Sequence, residues 1–478
     1  MHIHLIGVAG TGMSALAGLL AQAGHEISGS DTAFDPPIGP YLRELGIQCL
    51  PGWNARNLDD DPDLVVIGNV CRADNPEARE ALDRGLPVTS MPKALEAHVL
   101  SSRKPLVVAG THGKTTTSSL VAFLLRQVGI DAGFFVGGLP LDLGASSRLG
   151  TVGAPFVIEG DEYDSAFFEK VPKFWSYAPN AAILTSVEYD HIDIYPNEES
   201  YIDAFRRFVA LIPNDGWLFA WAGDPNVREV TKSSTCPVRL YALDGDDCGD
   251  VEPWWLGARA PGGALDLFGG GSLCGRTNLP MMGRHNARNA VGALAMASEA
   301  AGAPLDRLMA ALPSFRGTKR RQELVGIASG VRVYDDFAHH PTAVRETLRA
   351  FAEQGRGRVI AIFEPRSATA SRQLHQDAYP DALAAADIAI LAPVGRTGIP
   401  GDEQLDTRAI AAQLNSHGKI ARACETVAEV VSTAIDSAQE DDVVVVMSNG
   451  RFEDAADRIL LGLAQGSHGA EGLVADHE

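Results

Sequence analysis

The sequence predicts an α/β protein of three domains in series, and three observations carry that expectation. Apolar runs of strand length alternate with helix-length segments along most of the chain, a βαβ pattern that implies parallel sheets. The alternation stops and restarts twice, after "SSRK" (101–104) and after "RGTKRR" (316–321). A glycine-rich strand-to-helix turn opens each of the first two blocks, "GVAGTGMS" and "GTHGKTTT". Length agrees, since 478 residues exceed one ordinary core and suit two to four. The expected boundaries are 1–102, 103–318 and 319–465, with a polar, glycine-rich tail over 466–478 expected to be disordered.

In the first block "HIHLIGV" reads as a buried strand and "GMSALAGLLAQAG" as a helix stopped by Gly24. "EISGSD" and "DLVVIGN" are further strands, and "NPEAREALDRG" is a charged helix. The second block starts with the strand "PLVVAG" and the helix "TTTSSLVAFLLRQVG", followed by strands at "FVIEGD", "AAILTSV" and "WLFAWA". Residues 236–275 read as β structure with loops, and "HNARNAVGALAMASEAAG" as a helix. In the third block the strands are "VRVYDDF", "RVIAIFEP", "DIAILAP" and "DDVVVVMSN".

Composition narrows the function classes. A net charge of −21 argues against a nucleic-acid partner, which demands a basic face, so an anionic substrate must be held by helix N-termini, a few cations and a metal. The six cysteines form no CxxC pair, which suits reduced thiols in a cytoplasm. No apolar run reaches membrane-span length, and "HIHLIGV" follows Met1 with no basic region before it, so neither a membrane segment nor a signal peptide is expected.

The chemistry-bearing residues cluster at strand ends. In "GVAGTGMS" Gly7, Gly10 and Gly12 fit a loop that holds a nucleotide or diphosphate on a helix N-terminus, and Asp31 ends the next strand where a ribose-binding acid would lie. A tight turn with no ligand explains those glycines nearly as well. The second loop is more specific. The usual phosphate loop reads G-x-x-x-x-G-K-S/T; here Gly113, Lys114 and Thr115 fit its end, while Val108 holds the first glycine's place and Gly110 is the nearest glycine. Its strand–loop–helix context supports ATP, with Lys114 on the outer phosphates and Thr115 on Mg²⁺. Two acidic runs, Glu159 to Asp164 and Glu188 to Asp193 with His191, follow strands that can flank "PLVVAG", a plausible metal site at one sheet edge. Asn286 and Asn289 share a helix face and could read an adenine, though Asn286 fits an N-cap equally. Arg320 and Arg321 suit either a solvated linker or a γ-phosphate contact. Asp335, Asp336, His339 and His340 gather at a strand end before Pro341, which a proline-led helix start also explains.

Taken in order, "GVAGTGMS", "GTHGKTTT", "EGDEYD", "EYDHID", "GRHNARN", "KRRQE" and "YDDFAHHPT" resemble the Mur ligase family, whose phosphate loop has this shortened form. The resemblance implies a Rossmann-like N-terminal domain for a UDP-sugar, a P-loop ATPase-like central domain and a Rossmann-like C-terminal domain that closes over the nucleotide and takes the acceptor. It implies an ATP- and Mg²⁺-dependent ligase that forms an amide on UDP-N-acetylmuramate. ATP would lie along Gly110, Thr111, His112, Gly113, Lys114, Thr115 and Thr116, with Asn286, Asn289, Arg321, Asp336 and His339 as further nucleotide contacts. Thr115, Glu159 and His191 would hold the metal; Lys114, Arg321 and His191 would be catalytic. Gly7, Gly10, Gly12 and Asp31 would line the sugar-nucleotide site. Some relatives carry a carbamylated lysine in the helix after the metal histidine; "ESYIDAFRRFVALI" has no lysine, so that modification is not expected.

Within the family, "DEYDSAFFEK", "FEPRSAT" and "MSNGRF" are similar to members that attach the murein tripeptide L-alanyl-γ-D-glutamyl-meso-diaminopimelate during peptidoglycan recycling, rather than to those that add one L-alanine. Arg451 departs from the S-N-G-G-F pattern of those members. A fixed cation for the tripeptide's carboxylates is expected at Arg366, with surface pairing to Glu364 as the plainer alternative. A dehydrogenase built on the first loop would leave the phosphate loop and both acidic runs unexplained. An ATP-driven switch would leave Arg366, His339 and His340 unexplained.

Overall fold

The structure, a computed structural model, describes residues 1–470. It divides into two compact units, one of residues 1–189, 194–280 and 288–316, the other of 190–193, 281–287 and 317 onward.

The first unit contains two large sheets. Five parallel strands, β1 (His2–Ile6), β2 (Glu26–Asp31), β3 (Gln48–Pro51), β4 (Leu64–Ile67) and β5 (Val88–Ser90), stand in the order β3-β2-β1-β4-β5. The order reverses between β1 and β4, so a crevice opens at their carboxyl ends, where open α/β sheets take ligands. Most of β1 is buried, as a near-continuous apolar strand in such a sheet should be. The exception in kind is His4, which is fully buried and bonds Ser28 Oγ at 2.9 Å and Glu77 Oε2 at 3.1 Å. Glu77 also accepts from Ser30 Oγ (2.5 Å), the Asn54 backbone (2.9 Å) and Asn57 Nδ2 (2.5 Å). Burial works against its charge, but these donors outweigh it and hold the carboxyl below its ordinary value.

The second sheet has ten strands: β6 (Lys104–Ala109), β7 (Gly133–Phe135), β8 (Ser147–Arg148), β9 (Pro155–Gly160), β12 (Ala181–Leu184), β13 (Trp217–Trp221), β14 (Val238–Leu243), β15 (Trp255–Ala260), β16 (Ala264–Gly269) and β17 (Ser272–Asn278). A separate hairpin pairs β10 (Asp164–Ala166) with β11 (Glu169–Pro172). Strands from β7 to β15 across the sheet are parallel, and β15, β16 and β17 form an antiparallel meander where β structure was expected. The placement that matters is β6 between β9 and β12, with Ala109 opposite both Gly160 and Leu184. The two acidic runs therefore leave the sheet on either side of the phosphate loop. One apolar core joins both sheets through Leu16, Phe135, Phe156 and Phe205.

In the second unit, β18 (Glu323–Ala328), β19 (Val331–Asp336), β20 (Val359–Phe363), β21 (Ile388–Leu391), β22 (Ile420–Ala423) and β23 (Val443–Met447) stand in the order β18-β19-β23-β20-β21-β22, parallel except for β18. Every residue of β20, β21 and β23 is buried. The edge strands β18 and β22 were not foreseen, because their exposed Leu324, Ile327 and Ile420 break the inward pattern that marks a strand in sequence. The last helix is Ala455–Ala470; residues 471–478, the greater part of the tail expected to be disordered, lie outside the described residues. No described helix is long and apolar enough to cross a membrane.

Candidate active site

The phosphate loop spans the gap between β6 and the helix Lys114–Gln127. Gly113 caps that helix with φ of 79°, and a Cβ there would lie 2.7 Å from Asn289 Oδ1. Gly110 has φ of 134°, and its Cβ would fall 2.2 Å from Thr185 Oγ1 and 2.8 Å from the Ser186 backbone nitrogen. Both positions therefore need glycine, for conformation and for space. The loop is tied to the exit of β12: Thr111 N donates to Ser186 O (2.9 Å), His112 N to Ser186 Oγ (3.0 Å) and Thr111 Oγ1 to Glu188 O (2.9 Å).

Lys114 Nζ donates to Glu162 Oε1 (2.9 Å), Gly110 O (2.5 Å) and Thr111 O (3.2 Å). Burial opposes its charge, but Glu162, Glu159 and Asp161 outweigh it and raise the ammonium above its ordinary value. Lys114 is thus held cationic at the helix N-terminus, as a phosphate-binding lysine must be. At the next residue, Thr115 Oγ1 donates to Glu159 Oε1 at 2.9 Å, while Gly137 N donates to Glu159 Oε2 at 2.7 Å. A hydroxyl and a carboxylate side by side form an all-oxygen donor pair suited to a hard divalent cation. Thr116 is buried in the same first turn.

The acidic runs separate into distinct roles. Asp161 pairs with Lys173 at 2.7 Å, Asp164 with Lys170, and Glu188 with His112 Nε2 at 2.8 Å. Glu162, only 1% exposed, is the partner of Lys114 and is further tied by Tyr195, whose hydroxyl donates to its backbone carbonyl at 2.7 Å. Nothing in "EGDEYD" distinguishes Glu162 from its acidic neighbours, so its pairing was missed.

The first glycine loop is built differently. Gly7 has φ of 85° and donates to Ser30 O (2.8 Å); Gly10 is the N-cap of the helix Thr11–Gln22; Gly12 lies inside that helix. Asp31 Oδ2 accepts from Ala9 N at 2.9 Å and Oδ1 from Thr32 N at 2.7 Å. Asp31 therefore braces the loop.

In the second unit, His191 has φ of 56° and its N–H donates to Asp190 Oδ1 at 2.7 Å. Burial works against the Asp190 charge, yet His191, His339, His340 and a hydrogen bond from Thr369 hold its carboxyl well below the usual range. Asp190, read in sequence only as one acidic residue of the run around His191, is the hub of this cluster. His339 Nδ1 lies 3.0 Å from Phe337 O, and its carbonyl accepts from Tyr379 at 2.9 Å. His340 caps the helix Pro341–Ala352, the plainer of its two readings. Asn286 lies inside the helix Arg284–Glu299, not at its cap, and donates to Met282 O (2.9 Å) and Gln322 Oε1 (3.1 Å). Asn289, buried in the first unit, faces Gly113. Arg320 binds Asp335 and the carbonyls of Ser448 and Gly450, so it is a structural tie and not a solvated linker. The guanidinium of Arg321 lies 4.8 Å from the Phe337 ring. Asp336, 4% exposed, accepts from the backbones of Gln322 and Ala338, each at 2.8 Å. Burial chiefly raises its carboxyl above the ordinary value. Arg366 Nη1 lies 3.3 Å from Glu364 Oε1.

Known proteins place this arrangement. Residues 2–103 match the Mur ligase family catalytic domain, 108–297 the Mur ligase middle domain, and 320–450 the Mur ligase glutamate ligase domain. The UDP-N-acetylmuramate–L-alanyl-γ-D-glutamyl-meso-2,6-diaminoheptandioate ligase of Escherichia coli is 36% identical over 476 residues, covering 98% of this chain and 100% of that one. The chain belongs to the Mur ligase family. It is therefore an ATP-dependent amide ligase. Relatives differ in acceptor: the UDP-N-acetylmuramate–L-alanine ligase of Rubrobacter xylanophilus is 38% identical over 406 residues, 83% of this chain and 85% of that one. Among solved structures, the murein peptide ligase of Psychrobacter arcticus matches at a TM-score of 0.71 with 33% identity and full coverage of both chains. The UDP-N-acetylmuramate–alanine ligase of Thermotoga maritima matches at 0.76 with 25% identity, covering 98% and 100%. The departure at Arg451 in this Mur ligase points outward: its side chain is 87% exposed and pairs with Asp454 at 3.1 Å.

Proposed function

We propose that this Mur ligase joins the tripeptide L-alanyl-γ-D-glutamyl-meso-diaminopimelate to the lactyl carboxylate of UDP-N-acetylmuramate, in the cytoplasm and in peptidoglycan recycling. The observation that carries the reading is the end-to-end match to the Escherichia coli tripeptide ligase, joined by the three similar stretches "DEYDSAFFEK", "FEPRSAT" and "MSNGRF". The sugar nucleotide is assigned to 1–102, around Gly7, Gly10 and Gly12; ATP to 103–318; the acceptor and the closing contacts to 319–465.

In this reading the lactyl carboxylate attacks the γ-phosphorus of ATP and ADP leaves. The neutral α-amine of the tripeptide then attacks the acyl carbon, an amide forms, and phosphate leaves with the amine's proton passing to solvent. Two anions meet in the first step, so Lys114 and Arg321 neutralise charge on the transferring phosphoryl group. Thr115, Glu159 and His191 would hold Mg²⁺, which supplies further charge neutralisation on the phosphates. Asn286 and Asn289 contact the adenine, and Asp336 holds the turn that carries Arg321 and Gln322. Arg366, its side chain 44% exposed at the carboxyl end of β20, binds an acceptor carboxylate.

The alternative, addition of L-alanine alone, is favoured by the 38% identity to the Rubrobacter xylanophilus enzyme. An acceptor panel separates them. Alanine, dipeptide, tripeptide and tetrapeptide are each offered with ATP and UDP-N-acetylmuramate, and phosphate release is followed. Tripeptide is expected to give the highest kcat/KM; release with alanine alone would overturn the proposal.

A further inference from the structure

The strands β20 and β23 run parallel with Phe363 opposite Met447, so Glu364 and Ser448 leave the sheet side by side. Glu364 is 4% exposed, and each of its oxygens has a partner. Ser448 Oγ donates to Oε2, and Oε1 faces Arg366 Nη1 at 3.3 Å. The Ser448 hydroxyl in turn accepts from Gly450 N at 2.9 Å, which folds the chain back beneath Arg366. A Cβ on Gly450 would lie 2.3 Å from Arg366 Cδ and 2.4 Å from its Nε, so the arginine stem rests on bare backbone. On the opposite side a Cβ on Gly395 would lie 2.5 Å from Glu364 Oε1 and 3.3 Å from Arg366 Cγ. Gly395 is fixed there by its N–H bond to Pro365 O at 2.9 Å.

This is not an ordinary surface pair, in which two mobile side chains share water. The acid is buried and braced from behind, while the cation beside it is half open. Glu364 engages one guanidinium nitrogen, which leaves the remaining N–H groups of the fork for a second carboxylate. An arginine already fixed loses little further freedom when it grips a ligand.

We propose that Glu364, Ser448 and Gly450 form a clamp that positions Arg366 for the carboxylate of the peptide acceptor. The inference rests on the acceptor reading of Arg366 given above. Glu364, Ser448 and Gly450 are positioning residues that act through Arg366. The two segments that carry them, 84 residues apart between Glu364 and Ser448, meet only in the folded sheet.

Gly450 offers the sharpest test, because its φ is not positive and alanine there meets no backbone strain, only the arginine. KM values for tripeptide, ATP and UDP-N-acetylmuramate are measured on the full-length enzyme for R366A, G450A, S448A, E364Q and the double variant G450A/R366A, each with its thermal midpoint. G450A is expected to raise the tripeptide KM about tenfold, with the other two KM values within about twofold of wild type. The double variant is expected to match R366A, since a residue that acts through Arg366 has no effect without it. If R366A raises the tripeptide KM but G450A and E364Q do not, or if G450A and R366A are additive, the clamp is overturned while the acceptor reading stands. If R366A itself leaves the tripeptide KM unchanged, the acceptor reading fails and takes the clamp with it. A fall in thermal midpoint with all three KM values unchanged also overturns the clamp.

Discussion

The two glycine turns of the first unit share one plan and differ in what surrounds them. Each follows a buried parallel strand and opens a helix, at Thr11 and at Lys114. The turn after β1 is braced by a single carboxylate, Asp31, whose oxygens accept from the backbone of Ala9 and Thr32. The turn after β6 carries its own cation and hydroxyl, while β9 beside it supplies Glu159 for Thr115 and the segment just after β9 supplies Glu162 for Lys114. A glycine turn gives backbone donors and a helix dipole, enough to seat a diphosphate. Phosphoryl transfer needs charge of both signs fixed around the same donors, and that charge comes from the neighbouring strands.

The largest expected effect breaks the second turn alone. K114A should lower kcat/KM by about 10³-fold while leaving the far-ultraviolet circular dichroism spectrum unchanged, because it removes a cation fixed at the helix N-terminus. Turnover near wild type would refute this role. Next in size, T115A and E159A should each raise the Mg²⁺ concentration for half-maximal rate by about tenfold, whereas D31N should not move it. Superimposable Mg²⁺ titrations would remove both residues from the metal site.

A smaller effect sharpens the contrast in backbone geometry. G113A places a side chain at φ of 79° and against Asn289, and should cost about 2 kcal/mol of stability in urea unfolding. G10A, at φ of −67° with its nearest neighbour 3.4 Å away, should cost only about 0.5 kcal/mol. Equal losses would mean that the two turns are equally strained.

The smallest effect concerns pH. The Glu77 carboxyl is held below its ordinary value of 4.5, so its protonation is disfavoured in the folded state relative to the unfolded. The stabilisation it gives is present above about pH 4.5 and is lost as pH falls through the lower, folded value. The Tm advantage of wild type over E77Q should therefore narrow as pH drops below 4.5, and parallel Tm profiles would count against the network.

Much of this was legible in the sequence, for identifiable reasons. Buried parallel strands are continuous apolar runs, so β6, β20 and β23 stand out, and with them the loops at their carboxyl ends. The phosphate loop is local in sequence, so its strand, turn and helix are legible without the fold around them. What sequence does not carry is the choice of partner across long separations. Glu162 and Asp161 are adjacent in the same run, yet one meets Lys114 and the other Lys173, a choice set by where the fold puts the two lysines. Asp31 and Asp336 read as ligand-binding acids, and each also accepts from a backbone N–H distant in sequence, Ala9 for Asp31 and Gln322 for Asp336. His340 looked like half of a histidine pair and instead caps a helix.

The crowding around the two glycines of the phosphate loop has a consequence for genetics. A side chain at 113 would collide with the Asn289 side chain, so a second mutation that shortens residue 289 relieves the collision while leaving the backbone strain at φ of 79°. A side chain at 110 would collide with the backbone of Ser186, and no substitution at 186 shortens a backbone. A suppressor screen begun from a Gly113 variant should therefore return partial second-site revertants at 289 beside true revertants, whereas one begun from a Gly110 variant should return only true revertants.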